Sequence, residues 1–250
     1  MRAIVLALLL CGATSAYAQA DPAPEAAPDP GPESTDPAAE ARALRGVRYF
    51  PLEEGRRWLY RLRSRLEPAE GGEEEDEKEE AGAPDESQHR LDVYVTDPVP
   101  VDGAKAAVLE WKLDGVLAQR SYFRLGQDFL LCLRRLQGSG EHVKEFSLVP
   151  PQQFLPAAPK VGMEWSWAGK SGPSSGTQRF RIVRSERIEV PAGSFETLVV
   201  ESEFTGEDDS RGKTTRWLAP GVGIVKEVSE VRTPTQRFRS EGVLVKYEAS

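Results

Sequence analysis

The chain has 250 residues, with 32 Lys and Arg against 40 Asp and Glu and a net charge of −8. Two cysteines and two histidines are too few for a disulfide scaffold or a Cys/His zinc fold. The acidity is local: residues 19–44 and 67–87 hold an excess of Asp and Glu, and what lies outside them is net positive. That asymmetry bears on solubility and partners, not on fold.

Arg2, the apolar run from Ala3 to Leu10 and the small residues ending in Ala16-Tyr17-Ala18 form a secretory leader pattern over residues 1–18. The run is shorter than the roughly 20 residues a membrane-spanning helix needs. Cys11 leaves a lipid-modified cysteine as an alternative, although Leu10 before it departs from the small residue such processing uses. The reading places the mature protein in the bacterial periplasm or outside the cell. Loss of the leader leaves Cys132 alone, so no internal disulfide forms and a hydrophobic core carries stability.

Residues 19–44, rich in Ala, Pro, Asp and Glu, read as a disordered spacer, with one short helix expected at 37–45. From residue 45 to 250 the pattern is that of a single β-rich domain. Trp58, Tyr60 and Leu62 alternate with Leu59, Arg61 and Arg63; Leu91, Val93 and Val95 alternate with Asp92, Tyr94 and Thr96. Ala107, Leu109, Trp111 and Leu113 oppose Glu110 and Lys112, and Asp114-Gly115 then signals a two-residue hairpin turn. Further strands are expected at 128–137, 141–149, 163–169, 177–190, 195–205, 212–219, 222–231 and 236–247. The acidic segment 67–87, with eleven carboxylates and Lys78, reads as a disordered insertion between two strands. Val149 to Pro159 reads as a rigid connection between two halves of the sheet. Beyond residue 45 no helical period lasts ten residues. The expected architecture is all-β: a mostly antiparallel curved sheet or open half-barrel.

Three pieces resemble the TapB-like family of exported bacterial proteins, a group related to a domain of unknown function. They are Tyr49-Phe50-Pro51-Leu52 with Gly55, Trp58 and Tyr60; Val161-Gly162 with Trp165 and Trp167; and Val190-Pro191-Ala192-Gly193-Ser194-Phe195 followed by Trp217-Leu218-Ala219-Pro220-Gly221-Val222-Gly223. The resemblance implies a curved sheet similar to the half-barrel of periplasmic lipoprotein carriers, which hold a lipid between sheet and helices. Read from residue chemistry alone, the prolines and glycines turn the chain.

Catalytic patterns are missing. There is no G-x-S-x-G turn, no H-E-x-x-H pair and no phosphate loop, and the histidines are His89 and His142. No EF-hand spacing organises the acidic runs, so no metal and no cofactor is expected. The expectation is a non-enzymatic envelope protein that binds an apolar or amphipathic ligand, a lipid among the partners considered. The alternative is an assembly module that docks an envelope protein. Ligand-binding candidates are Trp58, Tyr60, Trp111, Trp165, Trp167 and Trp217, which otherwise build the core. Arg57, Arg61, Arg63 and Arg65 share one strand face and are candidates for contact with anionic surfaces, and Glu70 to Glu80 is the candidate screen for that face. No nucleic-acid motif accompanies them, and nucleic acid is not an expected partner.

Overall fold

The computed structural model describes residues 46–68, 86–137 and 144–249. The spacer, the expected helix at 37–45 and the core of the acidic insertion lie outside the described residues.

A short hairpin, β1 (Gly46–Val47) with β2 (Phe50–Pro51), precedes twelve long strands. These are β3 (Arg57–Pro68), β4 (Glu86–Val101), β5 (Ala104–Leu113), β6 (Val116–Leu125), β7 (Phe129–Gln137) and β8 (Lys144–Pro156). They continue as β9 (Glu164–Ser171), β10 (Ser174–Val190), β11 (Gly193–Gly206), β12 (Arg211–Ala219), β13 (Gly223–Arg232) and β14 (Gln236–Glu248). Each pairs antiparallel with the next, and β14 pairs back onto β3 from Gln236↔Pro68 to Glu248↔Arg57. The sheet is therefore a closed barrel, which corrects the expected open half-barrel: the last strand supplies the edge that an open sheet would leave unpaired. Val149–Pro159 is corrected too. Its first part belongs to β8, which continues through Pro150 and Pro151 to Pro156.

Alternation decides the faces. Along β3, Trp58, Leu62 and Ser64 are buried, whereas Arg57, Arg63 and Arg65 are exposed. Charged residues on the outer wall and apolar ones inside are the reverse of a membrane barrel, whose outer band is apolar. Twelve strands enclose more room than the roughly eight whose side chains fill a barrel. Large aromatics take up that room, and the β1–β2 hairpin plugs one mouth: Phe50 sits 5.4 Å from Phe123 and 4.8 Å from Phe154, ring centre to ring centre. We call this end the lower one.

Above it the interior carries a polar belt, and beyond the belt Leu66, Val231 and Phe238 form a small apolar cluster. Ser202, Thr214, Ser229, Ser240, Ser64 and Ser87 lie in one register across six neighbouring strands, β11-β12-β13-β14-β3-β4. Thr214 and Ser229 share a hydrogen bond of 2.9 Å, as do Ser64 and Ser87. From the other wall, Arg135 reaches Gln152, Gln152 donates to Gln178 at 2.6 Å, and Gln178 donates to Ser202 at 3.4 Å. Mutual pairing is what makes buried amides and hydroxyls tolerable.

The wall is uneven. β8 meets β9 only at Leu148↔Ser171 and Val149↔Lys170. Below that point Trp167 Nε1 donates to Pro150 O at 2.8 Å and Trp165 Nε1 to Gln153 O at 2.9 Å, so indoles occupy carbonyls on this stretch of β8. Gly169 permits the approach, since a Cβ there would lie 2.6 Å from Val149 O.

Candidate functional site

Three of the six aromatic candidates converge. Trp58, Tyr60 and Trp111 line a cavity in the lower barrel with Phe50, Ile224 and Glu227. Their polar ends are already held: Trp58 Nε1 donates to Val222 O at 2.6 Å and Tyr60 Oη to Ile224 O at 2.7 Å. What they offer the cavity is apolar surface. About 40 Å³ is open to the centre of a water-sized sphere, room for a few waters or one small group. That space is smaller than an acyl chain occupies.

Glu227 is the polar exception in this lining. Arg216 Nε donates to its Oε2 at 2.5 Å, and both side chains are 5% exposed. Arg216 also lies 5.6 Å from the centre of the Phe154 ring. Oε1 of Glu227 is buried and has no hydrogen-bond partner among the described residues. Burial pushes the Glu227 carboxyl up, and the Arg216 guanidinium only partly draws it back. Burial, and next the neighbouring Glu227 charge, drive the Tyr60 hydroxyl upward, so Tyr60 remains a donor. Neither Glu227 nor Arg216 was singled out in the sequence. The available signal was each one's place in the inward phase of its strand, Glu227 between Val225 and Ser229 and Arg216 between Thr214 and Leu218.

The other candidates go elsewhere. Trp165 stacks on Phe180 at 5.0 Å, and with Trp167 it seals the β8–β9 seam. Trp217 lies on the outer wall, where Nε1 donates to Glu186 Oε1 at 2.6 Å and Lys226 sits 5.4 Å from its ring centre. That bond marks an unexpected fold. Past an irregularity at Ile182/Arg184, the far end of the β10–β11 hairpin lies against the outer wall. Ala192 N donates to Leu244 O at 3.1 Å, and Phe195 packs edge-on to Tyr247. Between this tip and the wall runs a groove lined by Arg61, Arg63, Lys226, Glu241 and Val243 below and by Glu189, Val190 and Pro191 above.

The four arginine candidates share the outward face, yet differ in their neighbours. Arg65 pairs with Glu67 at 2.6 Å, and Arg57 stands opposite Glu248. Arg61 and Arg63 have no ion-pair partner among the described residues. On later strands Arg181 meets Glu164, and Arg237 and Arg239 meet Glu230, so much of the basic face is neutralised in place.

The pieces behind the family resemblance do more than turn the chain. Gly221 N donates to Arg48 O at 2.7 Å and Arg56 Nη1 to Gly221 O at 2.7 Å, which ties the opening motif to the β12–β13 turn. Gly221 has φ 76°, a conformation that suits glycine.

At the upper mouth, His89 Nδ1 lies 2.8 Å from Asp114 Oδ2 and His89 Nε2 lies 3.1 Å from Ser87 Oγ. The order of contacts is that of a serine relay, and the sequence reading missed it. Ser87 Oγ is also bonded to Ser64, and neither the cavity nor the groove touches Ser87. A hydrolase needs an oxyanion site beside its serine as well. Asp114 Oδ1 meanwhile accepts from Arg90 N at 2.9 Å, so the cluster ties the β5–β6 turn to β4. No group of three or more His, Cys, Asp or Glu among the described residues is arranged to hold a metal. Cys132 is buried, and that burial raises its thiol pKa.

A family model described as DUF3108-like matches residues 171–231, the stretch from the end of β9 through most of β13. No curated protein matches the chain. Two solved structures are similar to it. One, described as a putative exported protein with YmcC-like fold from Bacteroides fragilis, is 14% identical with a TM-score of 0.43, covering 81% of this chain and 100% of its own. The other, described as a putative lipoprotein from Parabacteroides distasonis, is 15% identical with a TM-score of 0.41, covering 81% of this chain and 99% of its own. The family model reaches a domain of unknown function and does not confirm the TapB name.

Proposed function

We propose that the protein is an exported, non-enzymatic component of the bacterial envelope that holds a small amphipathic ligand in its lower barrel. Glu227 carries this reading. Its Oε1 is a buried acceptor without a partner among the described residues, on the wall of a cavity that is otherwise largely aromatic and aliphatic. Leaving such a group unpaired costs on the order of 1–3 kcal/mol. A ligand with one hydrogen-bond donor on a compact apolar body would satisfy Oε1 and cover Trp58 and Trp111. A pocket mostly apolar with one fixed polar group is the usual form of a small-molecule site. Export is supported by the Arg2-to-Ala18 pattern.

Native mass spectrometry of the mature protein, gently purified from bacterial envelopes, tests the reading. The expected result is a small non-covalent adduct, well below lipid mass, that Glu227→Gln weakens. Recovery of only unliganded protein, or of a stoichiometric protein partner with the cavity empty, would overturn it. Covalent labelling of Ser87 by a fluorophosphonate would contradict the non-enzymatic part.

A further inference from the structure

We infer that the outer groove beneath the β10–β11 tip is a second binding site, for a phosphate group carried on an apolar body. Its geometry owes nothing to the lumen cavity: the two lie on opposite faces of β3, β13 and β14. Arg61 and Arg63 stand two residues apart on the outer face of β3 and line the groove without an ion-pair partner among the described residues. Lys226, the third cation, is bound to Glu241 at 2.6 Å, and Glu189 faces the cations from the roof. The site is therefore one of two guanidiniums unpaired among the described residues, in a mixed-charge frame, which favours a compact oxyanion over a broad polyanion.

Guanidinium forks match phosphate oxygens in pairs, as lysines do not. Val190 and Pro191 above and Val243 below add an apolar flank on which a short chain can lie. About 270 Å³ is open to the centre of a water-sized sphere, several times the space in the lumen. The Val190-Pro191 roof belongs to the last motif of the family resemblance. Its tip is held over the groove by the Ala192–Leu244 hydrogen bond.

The test is calorimetric titration of the mature protein, at low salt, with dihexanoyl phosphatidic acid in one arm and inorganic phosphate in the other. Phosphatidic acid should bind at least tenfold more tightly than inorganic phosphate. The double variant Arg61→Gln/Arg63→Gln should lose at least tenfold in affinity, while Arg65→Gln, whose arginine is already paired with Glu67 outside the groove, should bind as the parent does. Equal affinity for the two probes would assign the groove to free phosphate and overturn the apolar part. No binding by the parent, or unchanged binding by the double variant at an unaltered melting temperature, would overturn the site. Retention of the lumen adduct in the double variant separates this outcome from failure of the lumen reading.

Discussion

The lower barrel interior and the polar belt above it are built from the same alternating strands and filled in opposite ways. Below, Phe50, Phe123 and Phe154 touch face and edge around the plug, and Trp58 and Trp111 close on a small cavity. Above, six hydroxyls line one wall and amides reach toward them from the other. The Arg216–Glu227 pair stands one register step below the hydroxyls, next to them on the same strands. The contrast shows that inward-facing is not the same as apolar. The lower half gains its stability from area removed from water, about 25 cal/mol per Å². The belt contributes less net energy, and what it fixes is the mutual placement of the walls.

Substitutions grade that difference. Phe123→Ala, at a side chain 1% exposed, should destabilise by about 4 kcal/mol in urea unfolding, within the range for large aromatic truncations. A value below about 1 kcal/mol would mean the lower half is loosely packed. At the border, Glu227→Leu or Arg216→Met alone should lose at least about 3 kcal/mol, whereas the double variant should recover most of it, because a lone buried charge costs more than none. The same pair predicts a pH dependence. The folded state keeps the Glu227 proton to higher pH than the unfolded chain does, so this group's contribution is present at low pH. It is lost as pH rises from the ordinary carboxylate range through the raised Glu227 value. Glu227→Gln should flatten that decline in thermal melts followed across pH. In the upper belt, Thr214→Val should change stability by about 1–2 kcal/mol, since its hydrogen bond to Ser229 is lost and Ser229 keeps a buried hydroxyl. Outside, Arg65→Ala should change the free energy of urea unfolding by less than about 0.5 kcal/mol, as exposed ion pairs do.

Which residues face inward was largely legible from alternation. Trp58, Tyr60 and Leu62 against Arg61 and Arg63, and Ala107, Leu109 and Trp111 along β5, stand as their spacing predicted, and Asp114-Gly115 makes the turn. Closure was not legible, because β3 and β14 pair residues more than 160 positions apart and no local pattern reports that register. The first half of β8 was expected as a strand at 141–149, but its continuation past Val149 was hidden by its prolines, which read as a break. They are accommodated where β9 supplies indoles in place of backbone donors. The hydroxyl belt was hidden for another reason. Ser64 in the inward phase looks like an exception in one strand and becomes a pattern only across six. Of the site, the sequence pointed to Trp58, Tyr60 and Trp111. It could not separate them from Trp165 and Trp167, since an aromatic in the inward phase looks the same beside a cavity or within a seam, and it did not place Trp217 on the outer wall.

Everything about a filled, two-part interior requires that β8 and β9 meet. Cysteines placed at Leu148 and Ser171, paired across that seam, should oxidise to an intramolecular disulfide as readily as a control pair at Thr177 and Thr205 on β10 and β11. Cys132, buried inside, should stay reduced. Ready bridging of the control with none at 148/171 would mean an open sheet in solution and would contradict the closed barrel.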